Sequence, residues 1–392
     1  MTDPSPPGPL APRLDRLGTP LALIGAAALA WAPFVVFKAN RIASGDGRLL
    51  HAVLPAAGAA GVALVLAAVA LVVVAVRDAR LRLLASLTGL AVLLAALAVA
   101  ADRLTPAGDR IVRVAPGAGF WCLLIVLALL ATDALARLRP APVARVLCLL
   151  AVAAVTYAVF AHGVFDNLSV MREYAVNASS FGREARQHVA LALGSLGAAV
   201  AAGLPLGIVC HRVARLRGVI LQTLNLIQTI PSIALFGVLM VPLAALATAC
   251  PPCAALGVSG IGAAPAAVAL FLYALLPVVA NTAVGLARVS PSVVEAARGM
   301  GLTDGQVMTR IELPLALPVI VTGVRIVLVQ NIGLATIAAL IGGGGFGTYV
   351  FQGVGQTAID LVLLGAMPTI ALAFSSAVVL DALVDAMQGD RS

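Results

Sequence analysis

The sequence predicts an all-α, polytopic membrane protein with about ten transmembrane helices. Of its 392 residues, 61% are hydrophobic and only 11% are charged, whereas a soluble domain averages about 25% charged residues. Apolar runs close to the roughly 20 residues that a helix needs to cross a bilayer recur along the whole chain. A transmembrane β-barrel is excluded because its strands would read as alternating segments of about 10 residues.

Ten apolar segments support this prediction in chain order. A proline-rich segment over residues 1–19 precedes them and is predicted to be disordered. No small-residue cleavage site follows the first apolar segment, so we expect that segment to be retained as a span. The predicted spans cover residues 20–37, 52–76, 83–101, 119–136, 144–161, 188–210, 219–241, 264–286, 315–340 and 359–385.

The charge pattern predicts the orientation of these spans. Arginines cluster in the short connections around 77–82, 137–145 and 212–217, whereas the connections 242–263 and 342–357 contain no lysine or arginine. Because positive charge favours the cytoplasmic side, both termini are predicted to be cytoplasmic. The net charge of +8 is assigned to loops that contact membrane lipid. Nucleic acid is excluded as a partner because no basic stripe is interleaved with stacking aromatic residues.

The two halves of the chain differ in where their polar residues fall. Residues 20–161 form a five-helix region of Ala, Leu and Val spans whose role the sequence does not indicate. Residues 162–187 are polar and are predicted to be an extracytoplasmic connection. Residues 188–386 carry polar and helix-breaking residues inside their spans, where they are costly unless they face a cavity or a partner helix. The second half is therefore predicted to be the working part.

The longest polar interruption in the second half is the segment 290–314, on the predicted cytoplasmic side. Ser290 and Pro291 are typical of a helix start, and Ser292 to Glu295 fits a capping box. Gly299 and Gly301 are expected to end this helix, Thr303 to Gln306 fits a second capping box, and Pro314 begins the next span. An exposed helix pair between two apolar spans indicates a docking surface.

No catalytic site is predicted. The chain has one lysine and no Gly-x-x-x-x-Gly-Lys-Ser/Thr motif, so it is not expected to bind or hydrolyse ATP. Its four histidines are scattered at span ends without metal-ligand spacing, so no metal is expected either. Cys250 and Cys253 are separated by two prolines in a predicted outer loop; a disulfide, two free thiols and a metal pair remain the alternatives.

Polar residues inside the later spans are candidates for a transport path. Around a proline in one span, they either satisfy freed carbonyls at a kink or line a polar path. An arginine inside a span must pair, snorkel or face water, so structural pairing and path lining both remain open. The candidates are Gln228, Thr229, Pro231, Ser232, Asn281, Thr282, Arg325, Gln330 and Asn331. The glycines Gly342, Gly343, Gly344, Gly345 and Gly347 follow a membrane helix rather than a strand, so they predict a hinge and not a phosphate cradle.

The segment 295–314 resembles a known signature. Glu295-Ala-Ala-Arg-Gly-Met-Gly301, followed after nine residues by Ile311-Glu-Leu-Pro314, is similar to the "EAA" loop of importer-type ABC permeases. The resemblance implies a type I ABC importer permease core in which this loop docks on an ATPase subunit. The residues that it assigns to ATPase coupling are Glu295, Ala296, Ala297, Gly301, Ile311, Leu313 and Pro314.

Three further stretches resemble permeases of the glycine betaine/carnitine/choline osmoprotectant subgroup. They are 227–237, 276–282 and 331–347, although Ala280 stands where the subgroup usually has an arginine. The resemblance implies a bacterial inner-membrane importer: a permease homodimer, an ATPase pair that uses ATP and Mg, and an extracytoplasmic solute-binding protein. The alternatives are an importer for methionine, a sulfonate or another small solute, and an ion-coupled secondary transporter with Asp360 or Asp381 as its carboxylate.

Aromatic composition bears on where the solute is recognised. Quaternary ammonium groups are usually held by aromatic cages, and both tryptophans, Trp31 and Trp121, lie in the N-terminal region. The second half is therefore expected to lack the material for a cage. High-affinity recognition is expected on the solute-binding protein.

Overall fold

The computed structural model describes residues 15–41, 43–109 and 111–389. Residues 1–14 of the predicted disordered segment lie outside this range. Within the described residues, nine helices are long and apolar enough to cross a membrane. The predicted helical, polytopic fold is confirmed, and the chain divides into two compact units.

The N-terminal unit comprises the described residues up to Pro140 together with Ala154–Arg172. Its helices and strands, in chain order, are α1 (Gly18–Trp31), β1 (Val35–Lys38), β2 (Asp46–Arg48), α2 (Leu50–Val53), α3 (Ala56–Ala75), α4 (Ala79–Leu104), β3 (Arg113–Pro116), α5 (Ala118–Leu138) and the later part of α6 (Pro142–Ala161). The strands form an antiparallel sheet of order β2-β1-β3. The sequence did not predict this sheet.

The second unit comprises Ala141–Ala153 and the described residues from Glu173 onward. Its helices are α7 (Ser169–Arg212), α8 (Ala214–Thr229), α9 (Ser232–Ala249), α10 (Pro251–Ala255), α11 (Ala263–Ala287), α12 (Pro291–Gly299), α13 (Asp304–Val307), α14 (Leu313–Ala335), α15 (Gly347–Gly355) and α16 (Ile359–Gly389). A π-helical turn (Met308–Glu312) joins α13 to α14, and a 3-10 helix (Ile337–Ile341) follows α14.

The first predicted span, 20–37, is wrong in its second half. Helix α1 has only 14 residues and ends at Trp31, after which Ala32 is extended and Pro33 leads into β1. A residue before proline is pushed out of the helical region, so Pro33 ends the helix. At about 1.5 Å per residue, α1 is roughly 21 Å long and falls short of the roughly 30 Å hydrocarbon core.

The predicted span 219–241 is two helices rather than one. Helix α8 ends at Thr229 and α9 begins at Ser232. Ile230 lies between them and is extended, because a residue before proline is pushed out of the helical region. Pro231 is the N-cap of the new helix. The membrane-crossing segment in this region is α9, which extends to Ala249 and shortens the predicted outer loop.

The prediction that 162–187 is a connection is wrong from Ser169 onward. Helix α7 runs unbroken for 44 residues, from Ser169 to Arg212, which is about 66 Å. This is roughly twice the thickness of a bilayer core, so the helix extends well beyond one membrane surface. Polar residues therefore mark the part of a helix outside lipid here, not a loop.

Four charged side chains form a closed network in the N-terminal unit. Arg82 on α4 is only 1% exposed and contacts Asp15 at 2.5 Å and Asp133 of α5 at 3.1 Å. Arg137 contacts the same two carboxylates at 2.9 Å each. The hydrogen bond from Arg82 is the main cause that holds the pKa of Asp15 well below its usual value, and hydrogen bonds from the backbone of Gly18 and Leu17 add to it.

Replacing Arg82 by glutamine is expected to destabilise the N-terminal unit by about 3 kcal/mol, because it leaves two carboxylates with one cation. The pKa of Asp15 is lowered in the folded state. Its contribution is therefore present at neutral pH and is lost as the pH falls through and below about 4. Thermal unfolding in detergent across this pH range measures both effects. Arg80→Gln, at an exposed position on the same helix, is the control, and an equal loss in both variants would contradict the assignment.

Candidate coupling element and transport path

The segment 290–314 folds as the sequence predicted in its main features. Helix α12 is followed by Gly301, whose φ of +85° lies in the left-handed region that favours glycine. Helix α13 then begins with a capping box, in which Gln306 N donates to Thr303 Oγ1 at 3.4 Å and Thr303 N donates to Gln306 Oε1 at 2.9 Å. This second capping box is confirmed.

Two local predictions in this segment are wrong. Ser292 does not cap: the helix begins at Pro291 with Ser290 at the N-cap position, and the Ser290 hydroxyl is 2.7 Å from that of Ser292. With Pro291 at the first helical position, Ser292 is already inside the first turn. Pro314 does not begin a separate span either, because α13, the π-helical turn and α14 form one continuous helical segment, Asp304–Ala335. The wider turn places this proline near the start of α14, where a missing N–H is tolerated.

The burial of the segment defines a surface with an inner and an outer side. Ala297 is 1% exposed and Val307 is fully buried, so these residues hold the helix pair against its own unit. Of the other predicted coupling residues, Ile311 and Leu313 are half-buried. Six of the exposed residues in this segment, which we call the coupling surface, are Val293, Glu295, Ala296, Met300, Gly301 and Pro314. Met300, a large apolar side chain on this surface, is 73% exposed.

An ion pair that the sequence analysis missed fixes the base of this element. Glu312 in the π-helical turn is buried and its carboxylate lies 2.6 Å from Arg212 Nη2 at the end of α7. A buried carboxylate needs such a partner. The only signal in the sequence is a glutamate directly before an apolar span, and nothing local identifies its arginine, 100 residues away.

The polar residues at the break between α8 and α9 bind to the neighbouring helix α11. Gln228 Nε2 donates to the carbonyl oxygen of Tyr273 at 2.7 Å. The Tyr273 hydroxyl in turn donates to the carbonyl of Ile230, which the break leaves without its helical partner. Thr229 Oγ1 donates to Leu226 O at 2.7 Å. The polar residues of this region either satisfy freed carbonyls at a kink or line a polar path, and these contacts favour the kink.

Asn281 and Thr282 occupy helix contacts on α11. Each donates to a carbonyl one turn earlier on its own helix, at 2.8 and 2.7 Å. Thr282 is fully buried against Gly207 of α7, and Asn281 packs against Gly323 of α14. In both contacts the helices approach too closely for a side chain at the glycine. A Cβ added at Gly207 would lie 2.4 Å from Thr282 Cβ, and one added at Gly323 would lie 2.6 Å from Asn281 Cβ.

Arg325 is paired. Its guanidinium donates to Asp381 on α16. The same carboxylate accepts a hydrogen bond from Arg145 at 3.0 Å, and Arg145 also contacts Asp385 at 2.7 Å. Two arginines and two aspartates thus balance each other between α6, α14 and α16, which favours the structural reading of Arg325.

Asn331 lies one turn and a half further along α14 and is fully buried. Its side-chain amide donates to Ser195 Oγ of α7 at 3.0 Å, while Gln330 beside it is half-buried. The candidate path residues are therefore distributed over separate contacts, α8–α11, α7–α11, α11–α14, α14–α16 and α7–α14, and do not form one cluster.

The glycine-rich segment 342–347 is held by side chains of α7. Glu184 Oε2 accepts the N–H of Gly345 at 2.9 Å, and Gln187 Nε2 donates to the carbonyl of Gly343 at 3.1 Å. Gly342, Gly344 and Gly345 all have positive φ. We call this set of contacts the α7 latch.

Four aromatic rings close over the same segment. Phe181 packs against Tyr174 (5.1 Å between ring centroids), Phe346 (5.6 Å) and Tyr349 (6.0 Å). Phe346 also contacts the buried His188 at 4.9 Å. The expectation that the second half lacks the material for an aromatic cage stays a prediction. These rings pack on one another, and their arrangement is that of a core and not of an open cage.

Replacing Glu184 by alanine is expected to loosen the glycine segment, because the buried N–H of Gly345 loses its acceptor. An unsatisfied buried donor costs about 1–3 kcal/mol, which corresponds to about fivefold or more faster hydrogen exchange at this amide. Hydrogen–deuterium exchange of the peptide spanning 342–347 measures it. Glu184→Gln keeps an acceptor oxygen and should exchange at nearly the wild-type rate; equal exchange in the alanine variant would show that the latch does not hold the loop.

Cys250 and Cys253 form a disulfide in the structure, with 5.2 Å between their Cα atoms. The bond closes a short helical turn, α10, after the end of α9.

The second unit is similar to known transport proteins. Residues 203–389 match the family model described as "Binding-protein-dependent transport system inner membrane component". The osmoprotectant import permease protein OsmW of Salmonella typhimurium is 42% identical over 202 residues, which are 52% of this chain and 87% of that protein. The chain belongs to this permease family. Residues 15–171 of the permease match a second model, "ABC transporter permease YehY, N-terminal domain".

Two Bacillus subtilis proteins are also similar to the permease. The choline transport system permease protein OpuBB is 36% identical, over 48% of this chain and 79% of its own. The glycine betaine/carnitine/choline transport system permease protein OpuCD is 35% identical, over 51% and 81%. Among solved structures, a chain of the inward-facing methionine transporter MetNI is 22% identical, with a TM-score of 0.47, and the match covers 53% of the permease and 95% of that chain.

Membership confirms the predicted class. The permease is a multi-pass membrane subunit of an ABC importer, with the permease core in its C-terminal half. It is a transport subunit and not an enzyme; in this family ATP is hydrolysed by a partner ATPase, and a substrate-binding protein delivers the solute.

Proposed function

We propose that the permease imports osmoprotectants such as glycine betaine or related quaternary amines. The observation that carries this proposal is that the similar permeases are named for osmoprotectant, choline, carnitine and glycine betaine transport. The motifs at 227–237, 276–282 and 331–347 point to the same subgroup. Because the aromatic rings of the second unit pack on one another, the permease offers weak passage and the partner binding protein supplies the affinity.

The coupling surface, on α12, the turn after it and the start of α14, is the proposed contact with the ATPase. Its exposed Glu295 and Met300 lie on the outer side, and the buried Ala297 and Val307 fix the element to its own unit. Through the pair Glu312–Arg212, a movement of this element would reach α7, whose far part holds the glycine segment through the α7 latch. ATP and Mg act on the ATPase, and this chain is proposed to hold neither.

The proposed assembly has two copies of the permease, two ATPase subunits and one extracytoplasmic binding protein. The arginine clusters support an orientation with the coupling surface in the cytoplasm of a bacterium, and the permease in its inner membrane. The disulfide Cys250–Cys253, in a connection without lysine or arginine, agrees with an oxidising outer side.

The test is uptake into proteoliposomes that contain the permease and its partner ATPase, with the partner binding protein outside and ATP inside. We expect labelled glycine betaine, choline or carnitine to accumulate inside the proteoliposomes, and we expect this accumulation to stop when ATP is omitted. Methionine and a sulfonate are the matched controls. ATP-dependent accumulation of either control, with none of the quaternary amines, would overturn the proposed cargo and leave the transporter class intact.

A further inference from the structure

An apolar groove lies in the N-terminal unit between α1, α3 and α5. It has a volume of about 120 Å³ and is lined only by glycine and alkyl side chains. The lining includes Gly25 and Leu29 of α1, Ala63 and Ala67 of α3, and Leu123 and Val126 of α5. Nothing in the transport function described above uses this groove.

Glycine and alanine residues of α1 and α3 leave the groove open, and leucine and valine side chains of α1, α3 and α5 line the rest of it. On α1 its lining extends from Leu21 to Leu29, which is about 12 Å along the helix axis. A Cβ at Gly25 would lie 3.6 Å from Val126 and 3.7 Å from Leu123, in ordinary contact, so the missing side chain is what leaves the space open. Ala26 and Ala67 at the rim are exposed, so the groove opens sideways.

The helices around the groove indicate which kind of molecule it binds. Helices α3 and α5 both qualify as membrane spans, with mean hydropathies of 2.7 and 2.1. A groove that opens sideways between such spans meets hydrocarbon chains, and an apolar space of this kind is not hydrated. A flexible alkyl chain fits a narrow groove about 12 Å long, and a lipid acyl chain is the alkyl chain present at that depth.

Exposed arginines lie at one end of the groove. Arg16 directly precedes α1, and Arg77 and Arg80 follow α3. The start of α1 and the end of α3 meet, since a Cβ at Gly18 would lie 2.7 Å from a methyl group of Val73. Three cations at the polar end of an apolar groove complement an anionic head group. Each arginine near such a group favours binding on the order of fivefold.

We propose that the N-terminal unit binds an anionic phospholipid, with one acyl chain in the groove between α1, α3 and α5 and the phosphate beside Arg16, Arg77 and Arg80. The network of Arg82 with Asp15 and Asp133 keeps the start of α1 against α4 and α5, and so keeps the groove in shape. The proposal does not depend on which solute the permease carries.

Native mass spectrometry of the purified full-length permease, equilibrated with equal amounts of phosphatidylglycerol and phosphatidylcholine, tests it. The wild type should retain one phosphatidylglycerol per chain. Gly25→Leu fills the groove and should lower retention at least tenfold. Gly61→Leu, on an exposed part of α3 where an added Cβ meets nothing within 4 Å, is the matched control and should retain the lipid.

Two further variants keep the outcome decisive. If Gly25→Leu unfolds, Ala67→Leu at the exposed rim fills the same groove from α3. The triple variant Arg16→Gln, Arg77→Gln and Arg80→Gln should still bind lipid but should lose its preference for phosphatidylglycerol by tenfold or more. Wild-type retention in a folded groove-filling variant, or equal binding of the two lipids by the wild type, would overturn the proposal.

Discussion

Reversing the charge of Arg212, by Arg212→Glu, is expected to abolish uptake by the assembled importer. Glu312 is buried and would face a second carboxylate at the position of the 2.6 Å contact. Removing one partner of a buried pair costs about 3–5 kcal/mol, and because the Arg212 side chain is 34% exposed, solvent screening reduces this to about 2–3 kcal/mol. The coupling element would then no longer be fixed to α7.

The pair is tested by double substitution. Arg212→Glu combined with Glu312→Arg restores opposite charges and should recover a measurable part of the uptake that the single variant loses. Arg215→Glu changes the same charge at an exposed position of α8 and is expected to leave uptake near wild type. Uptake and the amount of permease in the membrane are measured together. If Arg212→Glu alone transports normally, Glu312–Arg212 does not fix the coupling element.

Replacing Gly347 by alanine is expected to be the most destabilising change in the second unit. A Cβ at this position would lie 1.8 Å from the carbonyl oxygen of Thr336 and 2.7 Å from its carbon. Both are backbone atoms, so no side chain can turn away and the segment between α14 and α15 must shift. A cost of about 3 kcal/mol or more is expected.

Gly355→Ala is the matched control for this change. It adds the same methyl group at the other end of α15, where nothing lies within 4 Å. Thermal unfolding of the purified permease should show a large loss for Gly347→Ala and little change for Gly355→Ala. Equal melting temperatures for the first variant and the wild type would mean that the glycine segment is not packed as described.

Local signals explain why the coupling element could be predicted from the sequence. Ser290-Pro291, the glycines after α12 and the Thr303–Gln306 box act within a few residues, and the structure keeps each of them in its expected place. The wrong capping box at Ser292 shows the limit of such signals. Two overlapping starts fit the same sequence, and the fixed φ of Pro291 decides between them.

Contacts between distant segments could not be predicted. Glu312 and Arg212 are 100 residues apart, and Glu184 and Gly345 are 161 apart, so no periodicity joins them. The sheet of the N-terminal unit was missed for a related reason. Its strands have three or four residues, too few for an alternating pattern.

Polarity also misled the prediction of span boundaries. The charged residues in 169–187 predict a connection, although a helix that leaves the bilayer gains water contacts and needs no break. Conversely, the apolar run 20–37 predicts one helix, although Pro33 divides it. Hydropathy indicates what lies in lipid, and prolines indicate where a helix ends.

The central claim is that the coupling surface transmits the work of the ATPase to the transport path. The direct measurement is uptake and ATP hydrolysis in the same proteoliposomes, for Glu295→Ala and for Gly301→Val, which strains a φ of +85°. The account predicts that permease remains in the membrane and ATP is still hydrolysed, while uptake falls at least tenfold. Unchanged uptake in both variants would contradict it.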